Sequence, residues 1–201
     1  MSTSPLHRPA TYEDIVALPR HVTGQIVDGE LHVSPRPANP HASASSTLGM
    51  DIGSAFQRGR GGPGGWWIVD EPEIHLGRDV VVPDLAGWRR SRLAAIPPEP
   101  FFTLAPDWTC EVLSPSTASF DRVKKMRVFA REGVGHAWLV DPAARTLEVY
   151  ELSAGRWTLP GAHEEDEVVR AAPFGEIEIP LADLWVGGAS GSPEAPSPAE
   201  P

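Results

Sequence analysis

Between Asp107 and Asp141 the chain reads strand, turn, helix, strand, and this run limits the possible folds more than any other stretch. DWTCEVL (107–113) is apolar, aromatic and β-branched around a single carboxylate, and HAWLVD (136–141) has the same character. SPST supplies turn and N-cap chemistry between them, and 118–132 has helical spacing, with Val123, Met126, Phe129 and Ala130 expected as its buried stripe. Two strands bracketing a helix belong to a mixed α/β domain. The order suits a parallel crossover, and an antiparallel arrangement also satisfies it.

The remaining segments add to that core. Thr11, followed three residues later by Asp14, marks the start of a short helix that Pro19 stops. GQIVDGELHVSP alternates apolar and polar residues around Asp28-Gly29, which predicts a hairpin at about 24–34. After Pro35, Pro37 and Pro40, the run 41–56 places Leu48, Ile52, Ala55 and Phe56 at helical spacing. GRGGPGG (59–65) reads as a connecting loop and lacks the endings of a nucleotide cradle. Strand-like segments follow at 66–70, 72–76 and 80–88. A second hairpin pattern joins 136–141 to 146–152, and short strands then lead to a last helical turn at 181–185.

At 201 residues the chain suits one domain, placed at 11–186, with a flexible tail at 1–10 and a Gly/Ala/Ser/Pro-rich disordered tail at 187–201. Cys110 is the only cysteine, so an intramolecular disulfide or a multi-cysteine zinc site is excluded. No apolar run has the length of a membrane span and no secretory leader is legible, so a cytoplasmic, soluble protein is expected. The net charge of −10 argues against a polyanionic partner, but residues 160–201 hold nine of the 27 acidic residues and one of the 17 basic ones. The body is therefore close to neutral, and its basic residues come in clusters.

Asp84, Glu111 and Lys125 are the residues on which chemistry is expected. Two carboxylates and an ammonium are the minimum for metal-assisted phosphodiester hydrolysis, because magnesium prefers carboxylate and water oxygens and takes only one or two protein carboxylates. Asp84 and Glu111 are the candidate metal ligands, with manganese able to substitute. Lys125 is the candidate for positioning water or offsetting charge. Each has a plainer reading: Asp84 starts a turn, Glu111 is salt-bridged, and Lys125 with Asp121 forms an i,i+4 pair on a solvated helix face.

The composite of Pro83-Asp84, EVLSPST from Glu111, Lys125 and W-L-V-D-P from Trp138 resembles the Uma-two family, within the PD-(D/E)XK nuclease superfamily, over about Tyr12 to Leu152. The resemblance implies a restriction-endonuclease-like α/β core, a mixed β-sheet flanked by helices, with additional β-hairpins. It also implies DNA as partner and raises the expectation of a homodimer. Trp138 and Asp141 match architectural positions of the family, one packing and one opening a turn. Gln25 stands where members commonly carry an active-site glutamate; an amide supplies neither charge nor general-base capacity. Glu30, across the hairpin turn, is a candidate to compensate. His41 matches a family histidine that either lines the site or helps open the helix. Lys124, Arg127 and Arg131 recur along one helix face, and Arg89 and Arg90 follow the Asp84 strand. Both clusters are candidates for phosphate contacts. The expected activity is a magnesium-dependent endodeoxyribonuclease. The alternatives are a catalytically weak or inactive nuclease-fold module that binds nucleic acid or protein, and an unrelated carboxylate hydrolase.

Overall fold

The computed structural model describes residues 8–185. Its first helix, α1 (Tyr12–Val16), starts where Thr11 predicts, the Asp14 carboxylate accepting the Thr11 N–H at 2.8 Å. Of the tail expected at 1–10, residues 8–10 are described: Arg8 pairs with Asp14 at 2.6 Å, and the Ala10 N–H donates to Gly29 O at 2.8 Å. The tail expected at 187–201 lies outside the described residues.

Strands β1 (Val22–Val27) and β2 (Glu30–Pro35) form the expected hairpin. Asp28 and Gly29 turn it at φ 54° and 79°, and two successive left-handed residues match the right-handed twist of the strands they join. Helix α2 (Asn39–Ile52) continues through a π-helical turn (Gly53–Gln57) and buries Ala44, Leu48, Ile52, Ala55 and Phe56, close to the expected stripe. The glycine loop folds back on that turn, with the Gly64 N–H on Ala55 O at 3.0 Å.

The segment expected as one strand at 80–88 is two strands in two sheets. β5 (Asp79–Val81) joins β1, β2 and β4 (Ile74–Leu76) in a four-stranded antiparallel sheet of order β2-β1-β5-β4. β6 (Leu85–Arg89) belongs to a six-stranded sheet with β3 (Trp66–Asp70), β7 (Trp108–Val112), β8 (His136–Asp141), β9 (Thr146–Ser153) and β10 (Arg156–Glu164), in the order β10-β9-β8-β7-β6-β3. Pro83 lies in the gap; without an N–H it cannot continue a ladder, so the chain leaves one sheet and enters the other there.

β7 and β8 pair in parallel and every other neighbouring pair is antiparallel, so strand, helix, strand at 107–141 is the crossover. The intervening helix begins as a π-helical segment (Phe120–Lys125) and ends as α3 (Met126–Arg131). Its buried face corrects the expected stripe. Asp121, Lys125, Met126, Val128 and Phe129 face inward, while Val123 is 42% exposed and Ala130 is only half-buried. Apolar periodicity alone does not mark this face, because it opens with an acid and a base, Asp121 and Lys125.

Cys110 and Val112 pack with α2 in one core, and Leu113, Leu139 and Ala137 pack with Met126, Val128 and Phe129 in the other. The sheet is therefore covered on both faces. Trp138 is fully buried and donates its indole N–H to Ala172 O at 2.7 Å, and the Asp141 carboxylate accepts the N–H groups of Ala143 and Ala144 at 3.0 Å. Val168–Val169 and Ile179–Pro180 form a small ladder before the final turn at Leu181–Leu184.

Candidate active site

Strand register brings the two carboxylates together. β6 and β7 pair Leu85 with Cys110 and Ala86 with Thr109, so continuing the antiparallel register by one residue sets Asp84 opposite Glu111. Asp84 Oδ2 accepts the Val112 N–H at 2.7 Å, which fixes the side chain across the strand end. Both carboxylates line one cleft of about 320 Å³.

Lys125 enters this cleft from the crossover helix. Its Nζ lies 2.6 Å from Glu111 Oε2, 3.0 Å from Val82 O and 3.3 Å from Asp121 Oδ1. An ammonium has three donors, and three acceptors surround this one. Glu111, Lys125 and Asp121 are 1%, 3% and 4% exposed. Burial works against the charge on Lys125, but Glu111, Asp121 and Asp84 outweigh it and raise its pKa. Burial also pushes the Glu111 carboxyl well up; Lys125 pulls it down, and Asp121 and Asp84 push it further up. Glu111 Oε1 is buried with no hydrogen-bond donor among the described residues.

Gln25 and His41 complete the inner wall. Gln25, 5% exposed on β1, accepts the Val82 N–H through Oε1 at 2.9 Å. Val82 is therefore held from both sides, by Gln25 at its N–H and by Lys125 at its carbonyl, directly before the Pro83-Asp84 break. His41, in the first turn of α2, places Nε2 3.3 Å from Asp84 Oδ1. Burial disfavours its charge, yet the hydrogen bond and charge of Asp84, with Asp121 and Glu71 behind, raise its pKa.

Two acids that sequence reasoning missed share the cleft. Asp121 was visible only as the i,i+4 partner of Lys125 on a presumed solvent face. Glu71 carried no sequence signal; it sits at φ 42°, and its N–H donates to Asp84 O at 3.0 Å. Glu30 does not compensate for Gln25, because its carboxylate is turned outward toward Lys124 at 3.4 Å and His32 at 3.7 Å.

The basic clusters are not brought to the triad. Lys124 is held by Glu30, Arg131 pairs with Asp79 and Glu132, and Arg127 is exposed; none of the three lines the cleft. Arg89 lies five residues along an extended strand from Asp84, roughly 17 Å away, and stacks over Trp66 at 4.4 Å. Arg90 stacks over Trp67 at 4.1 Å and donates to Gln57 O at 2.9 Å.

The family Uma2, described as "Putative restriction endonuclease", matches residues 10–182. The chain belongs to this family. A crystal structure titled as a putative nuclease belonging to DUF820, from Anabaena variabilis, superposes with a TM-score of 0.72 at 24% identity, over 88% of this chain and 98% of that one. At that identity the likeness establishes the fold, which is the restriction-endonuclease-like α/β architecture read from the sequence. No curated protein matches. Among the described residues, no helix is long and apolar enough to cross a membrane, and no group of three or more His, Cys, Asp or Glu side chains is arranged to hold a metal ion.

The donor set suits magnesium better than a metal that needs a full protein cage, since magnesium keeps most of its waters and takes one or two carboxylates. Glu111 Oε1, buried and without a hydrogen-bond donor among the described residues, lines the same cleft as Asp84, so these two carboxylates are the ones that could hold such a cation.

Proposed function

We propose that this Uma2 protein is a magnesium-dependent endonuclease that hydrolyses DNA phosphodiester bonds, with manganese able to substitute. The observation carrying this reading is Asp84 opposite Glu111 in a cleft where, among the described residues, four carboxylates, including Glu71 and Asp121, face only Lys125 and Arg36 as permanent cations. A phosphodiester anion would be repelled from that acid excess unless a divalent cation lay between them.

Asp84 and Glu111 would hold the cation, which supplies Lewis acidity toward the phosphoryl oxygen and lowers the pKa of bound water. In the reaction, a water oxygen bonds to phosphorus, one ester P–O bond breaks, and the leaving oxygen takes up a proton. The remaining work falls to the chain itself. Lys125, with its three donors engaged, orients Glu111 and offsets negative charge as the transition state develops. His41 and the Val112 N–H fix Asp84, and Gln25 fixes Val82. Cutting both strands of a duplex in one encounter with one cleft per chain would favour a homodimer.

The test is cleavage of plasmid DNA, linear duplex and RNA with magnesium, manganese or EDTA. The expected result is metal-dependent cleavage of DNA that disappears in folded Asp84→Asn, Glu111→Gln and Lys125→Ala proteins. Equal activity in all four proteins would mark a contaminating nuclease and sink the proposal. Gln25 favours one second reading, a nuclease-fold module that binds nucleic acid without cutting it, because the amide brings no charge to the cleft. Saturable binding without hydrolysis under every metal would decide for it.

A further inference from the structure

We propose that Arg36 is the guanidinium that grips a backbone phosphate at the mouth of the cleft, an inference that rests on the nuclease reading above. Of the side chains lining the cleft, Lys125 and Arg36 are the lysine and arginine. Lys125 is buried and surrounded by Glu111, Asp121 and the Val82 carbonyl, so it has no donor left for a substrate oxygen. Arg36 is exposed at the rim and forms no ion pair among the described residues.

The backbone beneath Arg36 is constrained. Pro35 ends β2 opposite Val22, and Pro37 follows directly, so φ is fixed on both sides of the arginine and its own backbone is biased away from the helical region. A long side chain on a fixed stem loses less freedom on binding than one on a free loop. The guanidinium fork matches two phosphate oxygens at once, which an ammonium does not. Ser114, Ser116 and Thr117 bring hydroxyls to the same cleft, bonded to one another at 3.0–3.1 Å.

The competing cations are committed elsewhere. Lys124 and Arg131 have carboxylate partners, and Arg89 and Arg90 are stacked on tryptophans. Arg127 is exposed but lies on the far side of the helix, beside Val123, Ala130 and Trp157. The phosphate contact therefore moves from the two basic clusters offered by the sequence to the Pro-Arg-Pro segment.

Fluorescence anisotropy of a labelled duplex, with calcium in place of magnesium and salt varied from 50 to 200 mM, tests this on the full chain. Arg36→Gln is expected to weaken binding about tenfold and to reduce the slope of log K against log salt by about 0.9, the signature of one lost duplex phosphate contact. Arg36→Lys should keep the slope and recover part of the affinity, and Arg127→Gln should change neither. With magnesium, Arg36→Gln should raise KM while kcat changes little. An unchanged slope and affinity in Arg36→Gln, with wild-type binding and cleavage intact, overturns the role of Arg36 and leaves the nuclease reading standing. A loss of slope in Arg127→Gln instead returns the contact to the helix and likewise overturns it. A wild-type protein that neither binds nor cuts duplex, single strand or RNA overturns both.

Discussion

Replacing Lys125 by methionine tests whether the ammonium is what allows Glu111 to be buried as a carboxylate. Methionine keeps the volume and removes the charge, so Glu111, at 1% exposure, loses its partner at 2.6 Å while Val82 O loses its donor at 3.0 Å. Breaking a buried ion pair from one side costs about 3–5 kcal/mol, because the remaining charge is uncompensated. The lost hydrogen bond to Val82 O contributes about 1 kcal/mol of that. The cost should depend on pH. Burial already raises the Glu111 pKa, and removing Lys125 raises it further. The folded carboxyl then holds a proton that the unfolded one releases, so stability falls as pH rises above the ordinary carboxylate range. Urea unfolding followed by tryptophan fluorescence should show a larger loss at pH 8 than at pH 5.5. The double variant Lys125→Met/Glu111→Gln should recover about 2–3 kcal/mol at pH 8, measured as a coupling energy. Additive effects within about 0.5 kcal/mol, with the same cost at both pH values, would refute the reasoning.

Three further outcomes follow from the same geometry. Manganese or magnesium at about 100 times its Kd should stabilise the protein by about 2.7 kcal/mol in a thermal melt, and the shift should vanish in Asp84→Asn; a shift that survives the substitution places the cation elsewhere. Gln25→Ala leaves the Val82 N–H without its acceptor and should cost about 1–3 kcal/mol in chemical unfolding, while Gln25→Glu, which can still accept that N–H, should cost less. Gly62→Ala should cost about 1–3 kcal/mol in the same assay, because the added Cβ would lie 2.6 Å from Ala55 Cβ and 3.0 Å from its carbonyl oxygen.

Where a segment's own chemistry decides its shape, the sequence was a sufficient guide. Asp28-Gly29 required a left-handed turn, and the hairpin formed around it. DWTCEVL and HAWLVD had the composition of buried strands, and the parallel pairing of the two chose the crossover over the antiparallel arrangement that the sequence left open. The PD, EVLSPST and lysine signatures pointed to the family, which the Uma2 match bears out, and singled out Asp84, Glu111 and Lys125 as the candidate site residues. The expected helix stripe holds at Met126 and Phe129 and fails at Val123 and Ala130, because hydrophobicity alone does not find an inward face that carries Asp121 and Lys125.

Charge is what the sequence could not allocate. It presented Lys125 with Asp121 as an ordinary surface pair, and only the packing of the helix on β7 made them buried partners of Glu111. It offered two basic clusters as phosphate contacts, yet whether a cation is free depends on which acids and aromatics the other strands and helices bring beside it. Sequence by itself determined most of the elements and the family signature, and named Asp84, Glu111 and Lys125 as candidates, because those depend on local periodicity and residue type. Only the tertiary structure decided that Asp84 faces Glu111, that Glu71 and Asp121 share their cleft, and that Arg36 stands at its rim without an ion-pair partner among the described residues. Those facts depend on register across β6 and β7 and on the sheet switch at Pro83, which join residues far apart in the chain.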